Sequence, residues 1–234
     1  MDGYQDEYMV KILGSKQFFE SYYYASIASF ADINRDIAGV KELSSFLGNG
    51  YCRSEAVMAV FLQKSEDCRR IYTTVVHCKA NTDGYKEQGI TFPSGQRQKE
   101  LMQDVYQETG IDPTDISYVE AHGTGTKVGD PQETNTVSEV FCKDRSGQLL
   151  IGSTKSCMGH AEAASGLTSL AKIIIAMEER VIPPNLHYNK PNPEIPGLSD
   201  GSLQVVTECT KWDGGLIAQN SFGFGGANVH VVYR

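Results

Sequence analysis

Between residues 93 and 179 the sequence alternates helix and strand signals in a rhythm that few folds accommodate. Ser94 is placed to cap a helix whose face carries Leu101, Met102, Val105 and Tyr106 and which stops near Thr109, before Gly110. Ile116 to Ala121 (ISYVEA) then reads as a strand, Asp130-Pro131 as the opening of a helix through about Phe141, and Gln148 to Gly152 (QLLIG) as a second strand. A further helix follows, with Ala163, Ala164, Leu167, Leu170, Ala171, Ile174 and Ile175 at helical spacing. Strands separated by single helices pair in parallel through right-handed crossovers, so the expected class is a layered α/β fold.

A chain of 234 residues can bury a substantial core. A formal net charge of -8 and the lack of a Lys/Arg run argue against a nucleic-acid partner. The best apolar run, Leu167 to Met177, is interrupted by Lys172 and is too short to cross a membrane. The acidic opening MDGYQDEYMV has no basic, apolar signal pattern, and the six cysteines at 52, 68, 78, 142, 157 and 209 form no CxxC pair. The expectation is a cytoplasmic protein with reduced thiols.

The flanks are less regular. Residues 1–47 form an unassigned leader with a sticky, loosely periodic segment (Phe18, Phe19, Tyr22, Tyr23, Tyr24, Ile27, Phe30), ending in a Gly-Asn-Gly turn at 48–50. Ala56 to Leu62 reads as a strand buried on both faces and Arg70 to Cys78 as a second strand, joined by a hairpin or short loop at 64–69. Asn81 to Phe92 reads as a surface loop. From residue 183, five prolines (183, 184, 191, 193 and 196) mark an irregular excursion, and Leu203 to Thr207, Leu216 to Asn220 and Asn228 to Tyr233 read as strands.

The chemistry concentrates in three loops. Glu120-Ala121-His122-Gly123-Thr124-Gly125-Thr126 follows one strand of the alternation, and Gly152 to Gly166 (GSTKSCMGHAEAASG), holding Lys155, Cys157 and His160 ahead of a helix N-terminus, follows the next. Ser221 to Gly226 (SFGFGG) follows a third strand. Sites in parallel α/β sheets form beyond the strands' carboxyl ends, so the three loops can converge. Two histidines suggest metal, but Lys155 would repel a cation and no HExxH or carboxylate lies at ligand spacing. HGTGTKVGD lacks the spacing of a phosphate-binding loop. Neutral and positive donors without metal suit the stabilisation of an oxyanion or enolate, as in acyl transfer.

The blocks EAHGTGTKVGDPQE (120–133), GSTKSCMGHAEAASG (152–166) and NSFGFGGANVHV (220–231) resemble the signatures of the β-ketoacyl synthase (ketosynthase) domain of animal-type fatty acid synthases and polyketide synthases. GNGYCRSEAV (48–57), NTDGYKEQGITFPSG (81–95) and PPNLHYNKPNPEIP (183–196) are similar to the same family, so the resemblance covers about residues 48–234. It implies a thiolase-like layered fold, here the C-terminal half with the last strands of the N-terminal half. It also implies a homodimer and a decarboxylative Claisen condensation of acyl and malonyl thioesters, the malonyl group riding on the phosphopantetheine of an acyl carrier protein. It implies no directly bound cofactor. The likeness assigns His122 and His160 as donors to the malonyl thioester carbonyl and Lys155 as the group that orders the site and tunes its neighbouring histidine. It assigns Thr124 and Thr126 as hydroxyls for the pantetheine arm and Phe224, in Phe224-Gly225-Gly226, as a gating aromatic whose backbone N–H joins the oxyanion hole. Phe222 or Phe224 is expected to line one cavity with both histidines.

One departure stands out. The family's nucleophilic cysteine lies in a block resembling DTACSSS, before the stretch similar to Gly50 to Glu55, and residues 1–47 contain no cysteine. Cys52 lies inside that later stretch, and Cys157 is the remaining thiol near the site. The expectation is a partial ketosynthase with impaired condensation or, alternatively, a non-catalytic interaction module.

Overall fold

The structure, a computed structural model, describes residues 8–12 and 50–234. The aromatic segment at 18–30 and the turn at 48–49 lie outside the described residues. The strands are β1 (Tyr8–Ile12), β2 (Val60–Lys64), β3 (Thr73–Thr82), β4 (Ile116–Glu120), β5 (Leu149–Gly152), β6 (Val181–Ile182), β7 (Leu203–Val205), β8 (Thr210–Lys211), β9 (Leu216–Phe222) and β10 (Ala227–Tyr233). The α-helices are α1 (Gly95–Thr109), α2 (Gly129–Phe141), α3 (Lys155–Met158), α4 (Ser165–Glu179) and α5 (Pro196–Ser199).

Among the described residues eight strands form one mixed sheet in the order β2-β1-β3-β10-β9-β4-β5-β7, and β6 and β8 form a separate pair. The expected parallel relation holds: β4 pairs in parallel with β5, Tyr118 opposite Leu150, and β5 with β7. β9 also lies parallel to β4, so the ends of β4, β5 and β9 open on one edge. β10 runs antiparallel to β3 on one side and to β9 on the other.

Helices cover both faces. Met102, Val105 and Tyr106 of α1 and Val137 and Phe141 of α2 pack with Val119 and Ile151 on one side. Leu170, Ile173 and Ile174 of α4 pack with Tyr118, Ile217 and Trp212 on the other. Each fully buried large apolar side chain contributes roughly 1.5–3 kcal/mol. Local signals set the limits of α1: the Ser94 hydroxyl accepts from the Arg97 N–H at 3.3 Å, and Gly110 takes a left-handed φ of 67°.

Several expectations need correction. The strand read at 56–62 is β2, shifted to 60–64, and it is not buried on both faces: Phe61 and Leu62 are 46% and 56% exposed, because β2 ends the sheet. β2 and β3 form no direct hairpin; β1, from the leader, pairs between them. The strand read at 70–78 begins at Thr73 and continues to Thr82, taking the start of the expected surface loop. Asp130 does not cap α2. Its Oδ1 accepts from the N–H groups of Gly125 (2.9 Å) and Thr126 (3.3 Å), so it closes the preceding loop instead. On α4 the buried face includes Lys172, whereas Leu167 is partly exposed. Apolar spacing misplaced that face because a buried ion pair occupies it.

Candidate active site

The alternation of the sheet places His122 just past β4 and Lys155 just past β5, on neighbouring parallel strands. The chain then turns through α3 and Gly159 to reach His160. Gly159 has φ of 77°, and a Cβ there would lie 2.8 Å from the Cys52 carbonyl oxygen, so the close approach requires glycine. The His160 N–H donates to that same carbonyl at 2.8 Å, and the Ser54 N–H donates to the His160 carbonyl at 3.0 Å. The segment around Cys52 thus clamps the histidine, and the Tyr51 ring packs edge-on against it at 4.8 Å.

The two imidazoles meet edge to face, centroids 5.2 Å apart, and Phe222 at the end of β9 lies 5.9 Å from His122. The Phe222 N–H donates to His122 Nδ1 at 3.3 Å, and the Glu162 N–H donates to His160 Nδ1 at 3.0 Å. With Nδ1 accepting, the single proton of each neutral ring sits on Nε2. Burial, then the Lys155 ammonium and His160, holds His122 well below the ordinary imidazole range. Burial and the same ammonium hold His160 at about 4. At neutral pH both rings are therefore uncharged Nε2–H donors.

Lys155 is buried, and that burial draws its pKa down to about 8, against the opposing pull of Glu120, Glu133 and Asp130. Two of those carboxylates hold the loops. Glu133 of α2 accepts from the His122 N–H (2.7 Å), the Gly123 N–H (2.8 Å) and the Asn220 amide (3.0 Å). Glu120 accepts from the Thr154 N–H at 2.6 Å and pairs with Lys172 at 2.8 Å, while the Tyr118 hydroxyl donates to it at 2.7 Å.

The remaining sequence-derived residues distribute unevenly. Thr124 and Thr126 stand beside His122, partly accessible, with hydroxyl oxygens 3.3 Å apart; Thr126 also accepts from the Gly129 N–H at 3.1 Å. Gly223 to Gly226 form the hairpin turn between β9 and β10, so Phe224 (76% exposed) and Gly225 occupy its tip, and Phe222 is the aromatic against His122. The Glu162 N–H, in the short turn between His160 and α4, is taken up by His160 itself. Cys157 turns its thiol to the Pro184 carbonyl at 3.5 Å, and burial pushes its pKa up, leaving it a thiol. A cavity of about 220 Å³ lies elsewhere, between α1 and α2, lined by Gln96, Lys99, Gln132 and Glu139 among others. Sequence reasoning missed Glu133, Asn220, Glu120 and Lys172. The available signal was charge inside apolar runs: Glu120 closing ISYVE and Lys172 interrupting LTSLAKIII.

Among the described residues no group of three or more His, Cys, Asp and Glu side chains could hold a metal ion, and no helix is long and apolar enough to cross a membrane. Residues 72–189 match the model of the β-ketoacyl synthase C-terminal domain. The chain belongs to the β-ketoacyl synthase family. Residues 191–234 match the ketoacyl-synthetase C-terminal extension, so this is the later part of a ketosynthase domain. A fatty acid synthase of Anser anser anser is 58% identical over 131 residues, covering 56% of this chain and 37% of that protein. A hybrid PKS-NRPS synthetase of Aspergillus terreus, pytA, is 41% identical over 195 residues, covering 79% of this chain and 29% of that protein. Among solved structures, the ketosynthase from module 6 of the bacillaene synthase of Bacillus subtilis 168 superposes with a TM-score of 0.79 at 31% identity, covering 97% of this chain and 42% of that one. The β-ketoacyl synthase fold here is thiolase-like. The chain spans about a third of the length of the curated relatives it matches first.

Proposed function

We propose that these residues carry the decarboxylating half of a 3-oxoacyl-[acyl-carrier-protein] synthase site, acting in fatty acid or polyketide synthesis. The observation that carries this reading is the pair of imidazoles whose Nδ1 atoms both accept backbone N–H groups, leaving two neutral Nε2–H donors side by side. A malonyl thioester, brought by the phosphopantetheine arm of an acyl carrier protein, would place its carbonyl oxygen between them. Cleavage of the bond to the carboxylate releases carbon dioxide and moves the electron pair into the enolate, whose oxygen the two donors stabilise. Burial, reinforced by the Lys155 field, keeps both rings neutral, and Thr124 and Thr126 line the approach of the arm. Phe224 and Gly225 would gate that approach, a role supported by their position at an exposed tip near Phe222.

Condensation also needs a thiolate carrying the acyl electrophile. The 234 residues contain no cysteine in a DTACSSS-like setting, and Cys157 stays protonated against the Pro184 carbonyl. These residues by themselves therefore decarboxylate without condensing: the enolate takes a proton, giving acetyl-carrier and carbon dioxide. The test incubates the chain with malonyl-carrier and an acyl thioester and follows carbon dioxide and 3-ketoacyl product separately. Carbon dioxide without ketoacyl product supports the reading. Ketoacyl product that survives Cys157→Ala refutes it, and product abolished by that change makes Cys157 the nucleophile.

Exposed Phe61 and Leu62 on β2 favour a second reading, a non-catalytic module that associates with an intact ketosynthase homodimer in the cytoplasm through this strand. Co-elution with an intact ketosynthase, lost on Phe61→Lys, is its expected result.

A further inference from the structure

A buried chain of polar groups runs from the outer helix layer to the backbone of His122. Tyr106 on α1, His230 on β10, Asn220 on β9 and Glu133 on α2 are 4%, 0%, 1% and 3% exposed. The Tyr106 hydroxyl lies 3.0 Å from His230 Nε2, His230 Nδ1 lies 2.7 Å from Asn220 Oδ1, and Asn220 Nδ2 lies 3.0 Å from Glu133 Oε1. The carboxylate then receives the N–H groups of His122 and Gly123 at 2.7 and 2.8 Å.

Every link has one direction. Glu133, whose two oxygens take the backbone N–H groups of His122 and Gly123, acts as an acceptor, so the Asn220 amide faces it with Nδ2. The amide oxygen then faces His230 and can only accept, which puts the imidazole proton on Nδ1. Nε2 of the neutral ring accepts from the Tyr106 hydroxyl. A phenylalanine would fill the same space between Tyr106 and Phe141, to whose rings His230 is packed, but it would leave the amide free to turn. A turned amide brings oxygen against oxygen at Glu133 and weakens the grip on the His122 loop.

We propose that His230, which makes no hydrogen bond to His122, His160 or Lys155, is a positioning residue for His122: its Nδ1–H sets the Asn220 amide, and that amide holds Glu133 against the backbone of His122 and Gly123. The role rests on the reading of His122 as a donor to the malonyl thioester, but its test does not depend on activity.

The test uses the full chain and long-range ¹⁵N–¹H correlation of its imidazoles. In the unsubstituted protein His230 carries its proton on Nδ1; a proton on Nε2 overturns the proposal outright. Two substitutions of similar polarity then separate positioning from packing. An asparagine amide nitrogen takes the place of Nδ1 and a glutamine nitrogen that of Nε2, so His230→Asn preserves the His122 ring signals whereas His230→Gln shifts or broadens them. If the two variants perturb His122 equally, at equal losses of thermal stability, the role is structural only and the proposal fails. Tyr106→Phe, which removes a single hydroxyl, keeps the question open to measurement if both variants misfold: it shifts the His230 Nε2 resonance and leaves the Nδ1 proton in place, and transfer of the proton to Nε2 with His122 unmoved counts against the chain. In the malonyl-carrier assay His230→Gln lowers kcat about tenfold or more with KM little changed, as expected for misplacement of a donor, and His230→Asn restores most of it. An inactive parent protein with the His122 signals still split between the two variants refutes the decarboxylase reading and keeps the positioning chain.

Discussion

Replacing Lys172 with methionine tests whether the ion pair under the site is held by mutual compensation. The ammonium lies 2.8 Å from Glu120 Oε2, and the two side chains are 3% and 0% exposed. Lys172→Met removes the cation and leaves the carboxylate buried with two donors, the Tyr118 hydroxyl at 2.7 Å and the Thr154 N–H at 2.6 Å. Removing one partner of a buried pair costs about 3–5 kcal/mol, and the two surviving hydrogen bonds place this case near the lower end, about 3 kcal/mol. For a chain of this size that lowers Tm by roughly 6–12 °C. Glu120→Gln strands the ammonium similarly, whereas Glu120→Gln combined with Lys172→Met removes both charges and costs little more than either alone. Urea and thermal unfolding of the four proteins give the coupling energy, expected above about 1.5 kcal/mol. Single losses that add in the double variant within about 0.5 kcal/mol would refute the compensation argument. Because Glu120 holds Thr154, the residue before Lys155, the singles should also disturb the His160 ring signals.

Three further outcomes follow from the same geometry. Gly159→Ala should cost about 1–3 kcal/mol, since φ of 77° with ψ of -171° belongs to glycine, and should displace His160; chemical denaturation checks it. Folding stability should fall on acidification below about pH 6.5. His230, fully buried with a pKa near 3, stays neutral when folded but binds a proton when unfolded, so at pH 5 it withdraws about 2 kcal/mol, measurable as a falling urea midpoint. Lys155→Met should let the His160 pKa rise from about 4 towards the ordinary value, because the ammonium field is removed while the burial contribution stays; an NMR titration reads the direction.

Much of the site could be read along the chain because its elements are local. Strand, loop and helix alternate from residue 93, and parallel pairing of β4 with β5 was expected to bring His122 and Lys155 to one edge, where the structure puts them. What escaped was set by distant partners. Nothing in AVMAVFL says that β2 ends a sheet, because burial depends on neighbours supplied by other segments. Asp130 has the residue type and position of a helix cap, yet its carboxylate is drawn to Gly125 and Thr126 by the tight loop. Lys172 reads as an interruption of an apolar run and Glu120 as the start of the histidine loop, and their pairing appears only when α4 packs over β4. Likewise the tautomers of His122 and His160 depend on the backbone N–H groups of Phe222 and Glu162; the former is a hundred positions along the chain.

The account rests on those tautomers. Histidine ¹⁵N spectra of the chain at pH 7 measure them directly, and a titration follows each ring. The expected result is a proton on Nε2 of both His122 and His160, Nδ1 of each as an acceptor, protonation of His160 only as the pH approaches about 4, and protonation of His122 only well below the ordinary imidazole range. A proton on Nδ1 of either ring, or a titration near 6.5, would contradict the claim that the site presents two neutral donors to a developing enolate.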